Sequence, residues 1–441
     1  MLKNYRLIKG NNIEKKLACV FTGFIILTIF LRAANSGITY DEAYTYTEYV
    51  ERLVNTGSLD GARLLLNNHW LNTFLIALVT KLFGVRYSII LIRLPIITFG
   101  IAYYCLIYKC YVNARIGLLQ YFVLAGNYYL AEFFGLARGY GMATFFVLVT
   151  ICTYAKWREE GYSNNKYIIY MLGTLLLAAY ANSISLLVCL AMGIVVFIRM
   201  DKSNILQLIK KYFVVLILYC GLYIGIAYWH FMVSADDMPI YSYTGSKYPS
   251  IAKYMIDYIG MYIEHEKCIY IVMFAIGIIC LLAFIVRIHD KRGFFRSDND
   301  MFIIALILFI IMYLINAVFK KGGCTGRTLL PMFPVFVYAI FEFIEPIREI
   351  PLIKDKKYSY YIELLASLII LVLFVHNTSI TKTSDWMWNY NQDISYRGNY
   401  FMDSDNQTDY GWNAVTEFYS QKSQWDSENL LGAQAWKQGC E

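Results

Sequence analysis

The sequence predicts an all-α polytopic membrane protein, a bundle that crosses the bilayer about eleven times. Three observations predict it. Of the 441 residues only 16% are charged and 58% are hydrophobic, with a mean hydropathy of +0.46; a soluble chain carries about 25% charged residues to cover its surface. Apolar runs close to the ~20 residues that a membrane helix needs recur along the chain. The Lys and Arg fall in short clusters between those runs. The net charge of +7 therefore belongs to loops rather than to a nucleic-acid surface. Seven prolines and no low-complexity tract exclude a linker-rich or disordered chain. The ten cysteines show neither a CxxC nor a Cys/His ligand spacing, and read as small apolar residues.

Taken in order, the spans are Leu17–Ala34, Ser88–Tyr108, Ile116–Phe134, Gly139–Ala155, Tyr167–Ala181, Ile184–Arg199, Tyr212–Phe231, Lys267–Val286, Met301–Phe319, Thr328–Glu345 and Tyr358–Val375. Lys3, Arg6, Lys9, Lys15 and Lys16 precede the first, and no small-residue cleavage site follows it, so it reads as a retained helix rather than a signal peptide. The pair between 167 and 199 is short and joined tightly near Asn182. The apolar stretch His69–Gly84 would reach only about 24 Å as a helix and contains Asn72 and Lys81. If it lies in or dips into the interface, 22 of the 39 basic residues fall on the cytoplasmic side, as the positive-inside rule requires. If it crosses, every later cluster flips. The expected topology is therefore N-terminus cytoplasmic and C-terminus extracytoplasmic. Residues 1–375 form one transmembrane domain with a first extracytoplasmic loop at 35–87, and 376–441 form an extracytoplasmic tail too poor in aliphatics for a core of its own. Within the first loop Tyr46, Tyr49, Val50 and Leu53 are spaced i, i+3, i+4, i+7, with Glu48, Glu51 and Arg52 opposite. That is an amphipathic helix suited to lying on the membrane.

Candidate chemistry crowds the extracytoplasmic side. Asp41 and Glu42 open the first loop; adjacent carboxylates point different ways, so one can face a cavity while the other packs, caps a helix or holds a divalent cation. On local grounds capping of the amphipathic helix accounts for them somewhat better than catalysis does. Arg93 sits about two turns inside its span, where an unpaired arginine costs roughly 2.5–3.5 kcal/mol if deep. A bound anion would compensate, and so would snorkelling to headgroups. Arg138 lies in a turn between two spans, in Phe134-Gly-Leu-Ala-Arg-Gly-Tyr-Gly141, a place that also suits an interfacial arginine. Arg327 follows Lys320-Lys321-Gly-Gly-Cys-Thr-Gly326 and opens a helix. Cations are disfavoured there, so a glycine-rich turn with two lysines and an arginine points to a phosphate, either a substrate's or a headgroup's. Glu132 and His69 are weaker candidates for supporting contacts, as are Asp236, Asp237 and His265 in the loop 232–266.

In order along the chain, Asp41-Glu42, Asn67-Asn68-His69, Leu82-Phe83-Gly84, Arg93-Leu94-Pro95, Ala137-Arg138-Gly139-Tyr140 and Arg327-Thr-Leu-Leu-Pro331-Met-Phe-Pro334 resemble the GT-C glycosyltransferases of the protein O-mannosyltransferase and lipid A aminoarabinose transferase superfamily. The likeness covers residues 17 to 345. It departs from the family pattern at Trp70, Leu136 and Thr328. The resemblance implies a GT-C-like bundle in a bacterial cytoplasmic membrane, moving a hexosyl or pentosyl group from a polyprenyl-phosphate carrier to a glycan, lipid or protein acceptor of the cell envelope. It implies Asp41, with Glu42 beside it, as the catalytic carboxylate. Arg93, Arg138 and Arg327, with Lys320 and Lys321, would bind the carrier phosphate.

The residues suit that chemistry. Displacing phosphate from an anomeric carbon needs a base for the incoming hydroxyl and positive charge on the leaving group, but no second carboxylic acid, and direct displacement inverts the centre. Two rivals remain. A polysaccharide or lipid transporter would carry charged groups on both sides of the membrane. A glycan polymerase or ligase would use a pyrophosphate-linked donor.

Overall fold

The structure is a computed structural model, and it describes residues 12–35, 42, 45–59, 68–84, 88–236, 251–263, 265–289, 299–319, 326–349 and 356–378. Every element among them is helical. Six helices are long and apolar enough to cross a bilayer, or up to seven if the pair bent by 113° at residues 135–138 forms one span. The protein is a membrane protein on that basis.

The first helix, α1 (Asn12–Asn35), is followed by a single π turn, Tyr46–Val50, which runs into α2 (Glu51–Thr56). Next come α3 (Trp70–Phe83), α4 (Ile89–Val112), α5 (Leu118–Ala125), α6 (Tyr128–Phe134) and α7 (Gly139–Glu159). The hairpin α8 (Lys166–Ala181) and α9 (Ser185–Arg199) precedes the long α10 (Lys202–Asp236), which is kinked at Tyr212. The last elements are α11 (Ile251–Gly260), α12 (Glu266–His289), α13 (Asp300–Phe319), a 3-10 turn at Gly326–Met332 leading into α14 (Phe333–Ile344), and α15 (Lys356–Asn377).

Two of the expected spans take a different form. Ile116–Phe134 is divided into α5 and α6, because Asn127 ends the first and caps the second, its side chain accepting from Leu130 N–H at 2.8 Å. Arg327 does not open an α-helix. It lies in the 3-10 stretch, and α14 begins six residues later at Phe333. Pro331 and Pro334 lack the N–H that would extend α-helical bonding across this region. The expected turn at Asn182 is present, and the Asn182 side chain accepts from Ile184 N–H at 3.0 Å. Its flanking helices, sixteen and fifteen residues long, fall short of a full crossing.

The amphipathic pattern after Tyr46 folds as a helix with Tyr46, Tyr49 and Val50 buried. That face packs against protein, on Ile76 of α3 and Ile92 of α4. The membrane-facing helices show the reverse pattern. In the apolar windows of α10, α12 and α15 only 6%, 11% and 11% of residues are buried, and large side chains such as Phe213, Val214, Phe274 and Leu365 stand exposed. In water that surface would be far larger than a monomer tolerates; in hydrocarbon it is the surface that belongs there.

Candidate functional site

At one end of the bundle the last turn of α1, the first turns of α3, α4 and α7 and the turn after α8 converge on the five residues Leu136–Tyr140. The corner is tight: Arg138 N–H donates to Leu136 C=O across three residues at 2.6 Å. Gly139 is required there, because a Cβ at this position would overlap the Ala181 carbonyl oxygen and come within 2.8 Å of His69 Cβ.

Glu42 anchors the corner from the first loop. Its carboxylate accepts Arg93 Nε at 2.8 Å, Arg93 Nη2 at 2.7 Å and Ala137 N–H at 2.6 Å, while Arg93 Nη1 donates to Ala33 C=O at 3.0 Å. Both side chains are fully buried. A buried ion pair survives only when its remaining lone pairs and protons are also bonded, and the Ala33 and Ala137 backbones supply those bonds. Asn72 Nδ2 donates to the Ala137 carbonyl at 2.8 Å, so both backbone groups of Ala137 are held by side chains from other elements. Asn68 accepts from Thr73 Oγ1 at 2.7 Å, which braces the start of α3 below His69.

Three side chains then surround the ring of Tyr140. The His69 ring meets it edge-on at a centroid distance of 4.8 Å. The guanidinium carbons of Arg138 and Arg327 each lie 6.0 Å from its centroid, at the outer limit of a cation–π contact. Arg138 is buried, with Nη1 donating to Thr45 Oγ1 at 3.3 Å; Arg327 is half-buried. The segment carrying Arg327 is fixed by α11, where Asp257 accepts Gly326 N–H at 3.0 Å and Tyr258 donates to Leu329 C=O at 3.1 Å. Two arginines distant in sequence thus lie beside one aromatic ring. The planar N–H donors of a guanidinium suit a phosphate oxygen.

Of the residues expected from the sequence, Glu42, His69, Arg93, Arg138 and Arg327 meet in this region. Glu132 is buried nearby against Arg32, 3.4 Å away. Asp41, Lys320, Lys321 and Asp237 lie outside the described residues, as does the side chain of Asp236; His265 is exposed. Thr45, Asn72, Asp257, Arg32 and the ring of Tyr140 were not legible beforehand. Tyr140 alone carried a signal, its place beside Arg138, whereas Arg32 at the end of the first span reads as an ordinary flanking charge.

The other end of the bundle holds a second polar group. Asp300 is fully buried and accepts from Tyr154 at 2.6 Å, Tyr162 at 2.7 Å and Arg199 Nε and Nη2 at 2.8 and 2.6 Å. Glu342 accepts Arg158 Nη1 and Met301 N–H, both at 2.7 Å. The 21 residues of α7, rising ~1.5 Å each, separate the two ends by about 30 Å. No known family's sequence pattern matches the chain, and neither a curated protein nor a solved structure does.

Proposed function

We propose that the protein is a GT-C-type glycosyltransferase that moves a sugar from a polyprenyl-phosphate carrier to an acceptor at the extracytoplasmic face of a bacterial cytoplasmic membrane. The observation that carries this reading is the convergence of Arg138 and Arg327 on Tyr140 beside the anchored Glu42. Asp41 directly precedes Glu42 in the sequence.

The roles then divide. Glu42, with its oxygens committed to Arg93 and Ala137, positions the loop; Arg93 holds Glu42 rather than phosphate. Asp41 takes the proton of the acceptor hydroxyl as its oxygen attacks the anomeric carbon. The bond from that carbon to the phosphate oxygen breaks, and Arg138 and Arg327, with Lys320 and Lys321, take up the charge on the departing phosphate. Inversion follows from the single displacement.

One observation favours the transporter as a second reading: buried charges occur at both ends of the bundle. A substrate path needs groups that can exchange partners, however, and Asp300 already accepts four hydrogen bonds. The far cluster has the chemistry of a clamp.

The test is transfer of a radiolabelled sugar from polyprenyl-phosphate donors in proteoliposomes. Asp41→Asn should abolish turnover while the protein stays folded. Arg327→Ala should raise the donor KM by the equivalent of about 1.5–3 kcal/mol, the worth of a charge-assisted hydrogen bond. Normal turnover in the Asp41 variant removes the proposed base, and monophosphate donors that fail where diphosphate donors work would give the site to a polymerase or ligase.

A further inference from the structure

Next to the arginine cluster lies a group of residues with a different chemistry. Trp70, the first residue of α3, meets Trp229 of α10 at a centroid distance of 5.5 Å and an angle of 74°, and its own neighbour Phe74 at 6.1 Å. Trp70 and Trp229 are half-buried, and Phe74 is 49% exposed. Beside them runs the turn between α8 and α9, where His230 Nδ1 and Ser183 Oγ are hydrogen-bonded at 2.9 Å. Asn182 is 3% exposed and Ser185 fully buried. Among the described residues Asn182 Nδ2, Ser185 Oγ and Trp229 Nε1 are buried polar atoms with no hydrogen-bond partner. Buried polar atoms are nearly always satisfied, and each exception calls for a partner; here three fall on two adjoining segments.

We infer that Trp70, Trp229 and the Asn182–Ser185 turn form a binding site for a neutral sugar ring, which on the glycosyltransferase reading is the docking place of a carbohydrate acceptor. A pyranose is the ligand this chemistry recognises. Its C–H face packs on an aromatic ring, and its hydroxyls both donate and accept, as an amide N–H, a serine hydroxyl and an indole N–H require. No Lys, Arg, Asp or Glu stands among these residues, so a phosphate is better served by the cluster next door. The two sites adjoin through the chain itself. Trp70 follows His69, which packs on Tyr140, and Ser183 lies two residues after Ala181, whose carbonyl abuts Gly139.

Calorimetric titration of the full-length protein in nanodiscs with mannohexaose, cellohexaose and chitohexaose tests this without any donor. Saturable binding of at least one is expected, weakened about tenfold or more by Trp70→Ala and by Trp229→Ala and kept within about threefold by Trp70→Tyr, which retains the ring. If Trp70→Ala lowers the melting temperature, Trp70→Leu replaces it, preserving apolar volume without an aromatic face. Absence of saturable binding to all three, or undiminished binding in both tryptophan variants, overturns the site. So does quenching of both indoles by headgroup-brominated lipid with no protection by a hexasaccharide, which would assign them to the membrane's aromatic belt. Oligosaccharide binding without sugar transfer keeps this site and removes the glycosyltransferase; transfer without oligosaccharide binding does the opposite.

Discussion

A carboxylate and a guanidinium excluded from solvent are tolerated only when their remaining lone pairs and protons are also bonded, and Glu42 and Arg93 meet that condition through the Ala137 N–H and the Ala33 carbonyl. Removing one member leaves the other charged and buried, at a cost of about 3–5 kcal/mol, whereas an apolar pair of similar volume is often neutral. Arg93→Met and Glu42→Gln should each lower the melting temperature in detergent sharply, and the double variant should recover much of the loss; additive losses would show that the pair is not coupled. Tyr140 sits differently, because its contribution is to the two cations beside its ring. Tyr140→Phe should leave donor KM nearly unchanged, while Tyr140→Leu should raise it by the equivalent of about 0.5–2 kcal/mol, as read in the proteoliposome transfer assay.

At the scale of elements the corner before α7 depends on close backbone approach. Gly139→Ala would drive a methyl group into the Ala181 carbonyl. The expected penalty is about 1–3 kcal/mol or more, since backbone rather than a flexible side chain must yield; an unchanged melting temperature would mean that α7 and α8 slide apart freely. Much of this level was readable in advance. Helices begin and end near the predicted limits wherever a cap or a cluster marks them, as at Asn182 and Gly84. The break at Asn127 was hidden because its sequence surroundings are apolar throughout, and hydropathy does not distinguish one straight span from two short helices at an angle. The 3-10 start of α14 was hidden for a related reason. Glycine, lysine and arginine before an apolar run signal a helix start, but the two prolines move that start inward.

Across the whole molecule the far cluster ties five helices together. Asp300 of α13 holds α7 through Tyr154 and α9 through Arg199, and Glu342 of α14 holds α7 again through Arg158, while Arg287 of α12 donates to the Glu342 carbonyl at 2.7 Å. Asp300→Asn keeps the shape, removes the charge and should destabilise the bundle without altering donor KM in the surviving folded fraction. The lipid-facing assignment has its own check. Cys220 and Cys268 are exposed and Cys110 is buried. In single-cysteine variants a membrane-soluble pyrene maleimide should label Cys220 rapidly and Cys110 slowly; equal rates would contradict the packing of α4 against α7.

Composition and the spacing of apolar runs determined that this chain lives in a bilayer, where its helices lie in sequence and which polar residues are too costly to be idle. These are local or additive properties, and a sequence contains them directly. Which face of each helix turns inward is another matter. In α1 the buried face carries Thr22, Thr28 and Arg32 beside Phe21, Ile25 and Ile29, while Val20, Phe24 and Leu27 face out, because lipid solvates large apolar side chains as well as the core does and hydropathy alone does not choose the face. Tertiary structure alone decided that Arg93 answers Glu42, that Arg138 and Arg327 share Tyr140, and that a turn after α8 lies beside two tryptophans. Each of these depends on distances between segments far apart in the chain.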